Sequence, residues 1–231
     1  MGEGMSGDKA VVLLSGGMDS ATAAAWARAR WPWVGALSVD YGQRHAFELQ
    51  AARRVAESLK LSEHRVIKVD LRAFGGSALT DELAVPKNRE NIGEGIPVTY
   101  VPARNTVLLA LLLAYAETRG ARHLVMGANV LDYSGYPDCR PDFLRAFQRV
   151  ANLGTKAGRE GAGFEVHAPL LHLTKAGIVC LGYQLGLAFE LTFSCYDPPE
   201  EGIHCGACDA CRLRRQGFAE ANLPDPTRYA T

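Results

Sequence analysis

The hydrophobic pattern of the chain alternates between short apolar runs and longer stretches with helical periodicity. The short runs predict β-strands at 11–14, 34–40, 64–69, 123–127 and 164–167. The longer stretches predict α-helices at 20–30, 45–60, 106–119, 143–153 and 175–185. Strands that alternate with helices form a parallel sheet covered on both faces. We therefore predict an α/β fold, a doubly wound, Rossmann-like parallel sheet.

Three segments differ in composition. Residues 1–9 are Gly-rich and predict a flexible tail, 10–190 carry the alternating pattern of one domain, and 191–231 hold a cysteine-rich segment that we expect to pack on that domain. The stretch 75–97 has little periodicity, which is typical of a functional or mobile loop. The helix at 106–119 is apolar almost all round, so we expect it to be buried.

The composition narrows the class of protein. Apolar residues make up 48% of the 231 positions, which is enough for a sizeable core. The formal net charge is zero, whereas proteins that bind polyphosphate backbones carry a basic excess, so we expect no direct nucleic-acid partner. We find no signal-peptide pattern and no apolar run long enough for a bilayer, which predicts a soluble cytoplasmic protein without a membrane partner.

The string SGGMDS, residues 15–20, follows the first predicted strand and opens the first predicted helix. Its glycines allow a sharp turn whose N–H groups approach an anion, and the helix N-terminus adds positive potential. Ser15, Ser20 and Thr22 offer hydroxyl donors. A carboxylate beside phosphates needs a cation between them, so we assign Asp19 to holding Mg²⁺ against the phosphates, directly or through water. An ordinary βα turn capped by Ser or Asp is the alternative.

Four of the six cysteines crowd the carboxyl-terminal segment. Cys205, Cys208 and Cys211 form a C-x₂-C-x₂-C run with Cys195 upstream. Four thiolates suit a closed tetrahedral zinc site, which predicts one structural Zn²⁺ per chain. An iron–sulfur cluster, two disulfides, and His204 in place of one thiolate are the alternatives.

SGGMDS resembles the signature of the N-type ATP pyrophosphatase superfamily, whose members have an adenine-nucleotide-hydrolase-like fold and split ATP between its α- and β-phosphates. The missing P-loop lysine agrees with this chemistry, because that lysine serves transfer of the γ-phosphate. The resemblance implies that Asp19, Ser15 and Ser20 are catalytic. It also implies an ATP-binding segment, whose apolar members contribute framework and backbone contacts: Leu14, Ser15, Gly16, Gly17, Met18, Asp19, Ser20, Ala21, Thr22, Ala23 and Ala24.

Further strings, YGQRH at 41–45, VPARN at 101–105 and SGYPDCRPDF at 134–143, lie on predicted loops or helix starts. Each alone also fits a solvated loop. Together with SGGMDS, the cysteine spacing and TKAGIVCLGYQLGL, they resemble the 7-cyano-7-deazaguanine synthases of the queuosine pathway. The likeness extends over nearly the whole chain, from residue 11 to residue 218.

The resemblance implies a ligase that forms C–N bonds. The carboxylate of 7-carboxy-7-deazaguanine attacks the α-phosphorus of ATP, and ammonia displaces AMP to give an amide. A second ATP adenylates the amide oxygen, and loss of AMP leaves the nitrile, with two AMP and two diphosphates released in all. The expected partners are ATP, ammonia, the deazapurine acid and a second copy of the chain in a homodimer.

Candidate substrate contacts come from the same strings. A guanidinium matches carboxylate and phosphate anions, and an Asp carboxylate accepts from the N–H donors of a guanine-like edge. The candidates are Gln43, Arg44, Arg104, Asn105, Asp132, Asp138 and Arg140. For Cys139 we favour a packing role over that of a nucleophile, since adenylation already activates the substrate.

Three rival functions remain at this point. A related superfamily member could modify tRNA directly, although a neutral chain lacks an obvious basic surface for RNA. A synthetase could stop at the amide, although the chain has no room for a glutaminase domain that would supply its ammonia. A binding module without catalysis is the third, and SGGMDS disfavours it.

Overall fold

The structure is a computed structural model that describes residues 9–42, 47–79, 84–88, 96, 98–131 and 136–230. The β-strands are Lys9–Leu13 (β1), Trp33–Asp40 (β2), Glu63–Lys68 (β3), His123–Val125 (β4) and Glu165–His167 (β5). The α-helices are Met18–Arg28 (α1), Phe47–Ser58 (α2), Arg104–Arg119 (α3), Pro141–Gly154 (α4), Lys156–Arg159 (α5), Lys175–Gln184 (α6) and Asp209–Glu220 (α7). Short 3₁₀ helices lie at Arg72–Phe74, Pro137–Cys139 and Phe189–Leu191.

The strands form one parallel sheet in the order β3-β2-β1-β4-β5. The central strand, β1, has the sequence KAVVL, and Ala10, Val11 and Val12 are completely buried. A central parallel strand is covered on both faces, which explains its uninterrupted apolar run. The strand order reverses between β1 and β4, and ligands of such sheets bind beyond the carboxyl ends of the strands at this switch point.

Helices cover both faces of the sheet. Successive side chains of a strand point to opposite faces. Ala10 and Val12 therefore pack into one cluster with residues of α1, α2 and α6, whereas Val11 packs into another with residues of α3 and α4. These clusters confirm the predicted doubly wound architecture.

The predicted strands and helices occur in the predicted order, with ends shifted by up to two residues. Two helices were not predicted, the short α5 and the longer α7. Buried Asp209 and Arg214 interrupt the apolar face of α7, so its sequence lacks the usual hydrophobic periodicity. The Arg214 side chain is fully buried because Asp225, Thr192 Oγ1 and the carbonyl of Phe189 accept its hydrogen bonds.

The expectation that the helix at 106–119 is buried all round is wrong. Leu109, Leu112 and Ala116 on α3 are completely buried against the sheet. Ala110 and Ala114, on the opposite side of the helix, are exposed. The helix therefore has one outer face made of small apolar residues.

The carboxyl-terminal segment packs on the rest of the domain through a third apolar cluster, which joins its cysteines and Phe193 to Leu79 and Val101. α7 lies against α6 because Gly217 has no side chain: a Cβ there would lie 2.6 Å from Cγ of Lys175. None of the helices in the described part of the chain combines the length and the apolar character required to cross a membrane.

Candidate active site

A cavity of about 280 Å³ opens at the switch point of the sheet. Its walls come from the residues that follow β1 and β4, from the first turns of α1, α2, α3 and α6, and from the cysteine-rich segment. The polar residues that line it are Ser15, Asp19, Ser20, Tyr41, Glu48, Arg104, Asn105, Asn129, Tyr136, Lys175, Ser194 and Tyr196. One space therefore joins the SGGMDS loop to charged side chains from distant parts of the sequence.

The SGGMDS loop presents its N–H groups to hydroxyl oxygens. The N–H of Ser15 donates to Ser20 Oγ at 3.2 Å, that of Gly17 to Ser15 Oγ at 3.4 Å, and that of Met18 to Ser194 Oγ at 3.2 Å. The two hydroxyl oxygens of Ser15 and Ser20 lie 3.0 Å apart. Convergent N–H and O–H donors at the start of a helix form a concave site for an anion such as a phosphate.

Glycines allow other segments to approach this loop closely. Gly16 has a φ of +94°, and a Cβ there would lie 2.1 Å from the carbonyl oxygen of Glu48. At Gly127, just after β4, a Cβ would lie 2.9 Å from the carbonyl carbon of Asp19. A side chain at either position would push α2 or β4 away from the loop, so both glycines are required for the shape of the anion site.

Asp19 forms an ion pair that the sequence did not reveal. Lys175 Nζ donates to both carboxylate oxygens of Asp19, at 3.1 and 2.9 Å, and the lysine side chain is only 7% exposed. Lys175 is the first residue of α6, where the helix dipole disfavours a cation. A lysine at the start of a predicted helix was the available signal, and it points to an anionic partner.

The chain just before Cys195 braces the loop. The N–H of Phe193 donates to the Gly16 carbonyl at 2.8 Å, and Ser194 Oγ accepts from Met18 as described. His204 Nε2 in turn accepts from the N–H of Ser194 at 3.1 Å. Burial lowers the pKa of His204 to about 4, which keeps its ring neutral. The four cysteines come together as a set of metal ligands that does not include His204, so the structure does not support this histidine as a replacement for a thiolate.

The four predicted cysteine ligands come together. The sulfur atoms of Cys195, Cys205, Cys208 and Cys211 all lie within 4.8 Å of one another, and each cysteine is free of disulfide bonds. Tetrahedral Zn–S bonds of about 2.3 Å place sulfur atoms about 3.8 Å apart, and Cys205 Sγ and Cys211 Sγ are 4.0 Å apart. Backbone N–H groups of Cys205 and Cys208 donate to sulfur atoms of the cluster, which stabilises thiolates. The donor set and the spacing of the cluster therefore suit a metal ion.

Arg104 dominates the other end of the cavity. It is the first residue of α3, and its guanidinium carbon lies 5.8 Å from the ring centre of Tyr41. The preceding residue, Ala103, has a φ of +52°, a strained value for alanine that turns the chain sharply before the helix. Glu48 also lines this region, and burial raises its pKa to about 7, although the charge of Arg104 opposes the rise.

Asp138 and Asn105 hold two loops together. The Asp138 carboxylate accepts from the backbone N–H of Asn105 at 3.0 Å and from Asn105 Nδ2 at 3.3 Å. The same amide nitrogen lies 3.2 Å from Cys139 Sγ. Burial, reinforced by the adjacent Asp138, raises the pKa of Cys139 to about 12, so this thiol is a poor nucleophile at neutral pH.

Only some of the remaining predicted residues line the cavity. Arg140 is exposed and does not line the cavity, and neither does the buried Asp138. Gln43, Arg44 and Asp132 lie outside the described residues. Within the predicted ATP segment, the residues that line the cavity are Leu14, Ser15, Gly17, Met18, Asp19 and Ser20. Those that support it from behind are Gly16, Ala21, Thr22, Ala23 and Ala24.

Comparison with known proteins agrees with this geometry. Residues 9–222 match the profile of a family described as queuosine biosynthesis protein QueC. The chain belongs to the QueC family. A 7-cyano-7-deazaguanine synthase of Anaeromyxobacter sp. (strain Fw109-5) is 63% identical over 224 residues, which cover 96% of each chain. One of Stenotrophomonas maltophilia (strain K279a) is 60% identical over 222 residues, which cover 96% of this chain and 99% of the relative.

Among solved structures, this QueC family member is similar to an NMN synthetase from Francisella tularensis. The alignment covers 94% of this chain and 79% of that one, with 20% identity and a TM-score of 0.49. That level of similarity is too low to bear on the function of the QueC chain.

Proposed function

We propose that the chain is a 7-cyano-7-deazaguanine synthase that makes its product from 7-carboxy-7-deazaguanine, ammonia and ATP. The observation that carries this proposal is the cavity that joins the SGGMDS loop to the half-buried Arg104 and an apolar wall. Adenylation of a flat organic acid requires these features together, because the acid must meet the α-phosphorus of ATP in a fixed orientation. The family membership agrees with this reaction.

In the first step, the SGGMDS loop binds the β- and γ-phosphates and thereby holds the diphosphate that will leave. Arg104 holds the substrate carboxylate against the α-phosphorus until one of its oxygens attacks. The P–O bond to diphosphate then breaks, and the acyl adenylate remains. Lys175 balances the charge of Asp19, so the loop accepts a polyanion without a bare carboxylate beside it.

The chemistry that Mg²⁺ supplies when bound is neutralisation of the phosphate oxygens on which negative charge develops. Asp19 fits this ion, because it belongs to the SGGMDS loop and lines the cavity. Its carboxylate also keeps lone pairs that the two hydrogen bonds from Lys175 do not use. A single carboxylate together with phosphates is a usual ligand set for Mg²⁺. We therefore retain Asp19 as its protein ligand, and Ser15 and Ser20 as hydroxyl donors to the phosphates.

In the second step, ammonia attacks the acyl carbon and AMP leaves with the former carboxylate oxygen. The resulting amide oxygen then attacks a second ATP, and diphosphate leaves again. Loss of the nitrogen-bound protons and of AMP gives the nitrile. Each oxygen of the acid is thus removed as part of an AMP molecule, which is why two ATP are consumed.

We propose Zn²⁺ as the ion of the cysteine cluster. Four thiolates leave no open coordination position, so its role is structural. The cluster lies next to Ser194 in the chain, and Ser194 accepts from the SGGMDS loop. The ion would therefore fix one wall of the cavity.

We also propose that the chain forms a homodimer in the cytoplasm. The exposed small apolar residues on the outer side of α3 suit close helix packing, and four reduced thiolates require a reducing compartment. Light scattering of the purified chain should give twice the mass of 24.9 kDa, and a monomeric mass would contradict the dimer.

The reaction is tested by mass spectrometry of a mixture of 7-carboxy-7-deazaguanine, ammonium, Mg²⁺ and ATP. We expect the nitrile, with two AMP formed for each molecule. An amide that accumulates under excess ATP would contradict nitrile formation, and AMP release that requires tRNA would show that the free acid is not the substrate. Production of ADP in place of AMP would refute the chemistry assigned to the SGGMDS loop.

A further inference from the structure

We propose that His123, Glu165 and His167 form a second metal site, for a divalent transition cation of the Zn²⁺ class. The three residues lie at the β4–β5 edge of the sheet, and none of them lines the cavity. Their donor atoms fall within 4.8 Å of one another, as the sulfur atoms of the cysteine cluster do.

The strand register brings the three side chains to one place. β4 and β5 are parallel neighbours in which His123 is paired with Glu165 and Val125 with His167. Residues two apart on a strand point to the same face, so Glu165 and His167 share a face, beside His123. The backbone of the three residues is therefore held by the hydrogen bonds of the sheet, which fixes where their side chains start.

The distances fit a metal ion closely. His123 Nδ1 and His167 Nε2 are 3.0 Å apart, and Glu165 Oε2 lies 3.5 Å from each of them. A triangle with these sides has its centre about 1.9 Å from every corner, and zinc bonds to His and Glu measure about 2.0–2.2 Å. An ion slightly above the plane of the three atoms would make ordinary bonds to all of them. A fourth position would then face solvent.

Hydrogen bonding alone explains only part of this geometry. A proton between the two rings accounts for their 3.0 Å separation. It does not account for Glu165, whose oxygen is equally far from both nitrogen atoms and beyond the 2.7–2.9 Å of a charge-assisted bond. Three metal-ligand atoms arranged around a common point are typical of a site for a cation.

Aromatic side chains hold the two histidine rings in place. Trp31 stacks on His123 with ring centres 4.6 Å apart, and Trp26 lies 5.8 Å from the ring of His167. Burial lowers the pKa of His167, and His123 adds to the effect. Arg30, whose guanidinium lies over Trp26, is a nearby positive charge that opposes cation binding.

The test uses the full chain with its cysteine site already loaded with zinc. Ni²⁺ is titrated into the protein, and binding is followed by calorimetry and by tryptophan fluorescence. Trp31 and Trp26 would report an ion at this site. We expect one equivalent of Ni²⁺ to bind and to quench fluorescence. Zn²⁺ in dialysis should bring the total to two ions per chain.

His167→Gln and His123→Gln should each weaken this binding at least roughly tenfold, as loss of a ligand requires. Glu165→Gln, which changes an exposed side chain, should weaken it less and leave the fold intact, whereas Arg30→Gln should strengthen it. His172→Gln replaces an exposed histidine outside the cluster and serves as the matched control. None of these variants should change AMP formation, so the result is independent of the proposed reaction.

Two results would overturn the proposal. One is the failure of the zinc-loaded chain to bind a further equivalent of Ni²⁺ or Zn²⁺. The other is binding that is the same in Glu165→Gln and His167→Gln as in the unaltered chain. Melting curves without added metal identify any variant that fails to fold. If a histidine variant fails to fold, the binding of Ni²⁺ by Glu165→Gln tests the proposed site in its place.

Discussion

The two ends of the cavity are built by different means. At the phosphate end, a six-residue string supplies the turn, the N–H donors, the hydroxyls and Asp19. Hydrogen bonds to serine hydroxyls and from the N–H of Phe193 hold it in place. At the substrate end, Tyr41, Glu48, Arg104 and Tyr136 come from separate segments and meet only after folding. The phosphate end is therefore local in sequence, whereas the substrate end depends on tertiary structure.

This difference separates the expected effects of substitution. In the proposed reaction, the phosphate end binds a group that is common to both adenylation steps, so damage there should stop all turnover. The substrate end is proposed to select and orient the acid, so damage there should raise KM while ATP binding survives. Lys175 and Ser194 combine the two cases. They are distant from the SGGMDS loop in the sequence, but they form hydrogen bonds with it.

The largest effect is expected at the ion pair between Asp19 and Lys175. Asp19→Ala and Lys175→Met should each lower diphosphate release by about 10²–10³-fold or more, because the loop loses a charge that is matched to the phosphates. Lys175→Met should also destabilise the fold, because it leaves the carboxylate unpaired in a partly buried place. Diphosphate release and chemical unfolding measure the two effects.

Lys156→Met is the matched control, since that lysine is 82% exposed and pairs with Glu160 one turn away. It should leave turnover and stability unchanged. If Asp19→Ala turned over like the unaltered chain, Asp19 would have no part in the reaction. The double variant at both positions should be more stable than Lys175→Met alone, because no unpaired charge remains.

The next largest effect should follow removal of metal from the cysteine cluster. Elemental analysis should find about one zinc per chain when the histidine site is empty. A strong chelator should lower the melting midpoint and weaken ATP binding, because Ser194, next to the first ligand, then loses its fixed position at Met18. Cys180→Ser, a thiol outside the cluster, should respond to the chelator as the unaltered chain does. An iron-rich brown protein would contradict zinc as the ion.

The SGGMDS loop at the cavity and the cluster of four cysteines could be located from the sequence because each is a short pattern with its own chemistry. The central strand β1 was predictable because burial on both faces leaves a continuous apolar run, AVVL at 10–13. Lys175 was missed because its partner lies 156 residues away. The contact of Asp138 with Asn105 was missed for the same reason, and α7 because Arg214 is buried by its own hydrogen bonds.

A smaller effect is expected at the substrate end, where two arginine predictions can be compared. Arg104 lines the cavity, whereas Arg140 is exposed and does not. Arg104→Met should raise KM for the acid by about 10–100-fold, the usual effect of losing a hydrogen bond to a charged group, with little change for ATP. Arg140→Met should have a much weaker effect. Equal increases in KM for both variants would mean that the substrate extends beyond the cavity.

The smallest effect concerns Glu48 and appears in the pH dependence of stability. Burial raises the pKa of this carboxyl to about 7 in the folded chain, from 4.5 when it is unburied. The folded state therefore holds a proton that the unfolded state releases between these values, and the free energy of unfolding should fall as pH rises from 4.5 to 7. The expected loss is of the order of 1–3 kcal/mol.

Glu48→Gln mimics the protonated form and should remove this part of the slope, so that the variant is more stable than the unaltered chain at pH 8 but not at pH 4. Urea unfolding at both pH values measures the difference. The same slope in both proteins would mean that Glu48 is ionised and paired with Arg104, and the substrate end would then carry no net positive charge for the acid.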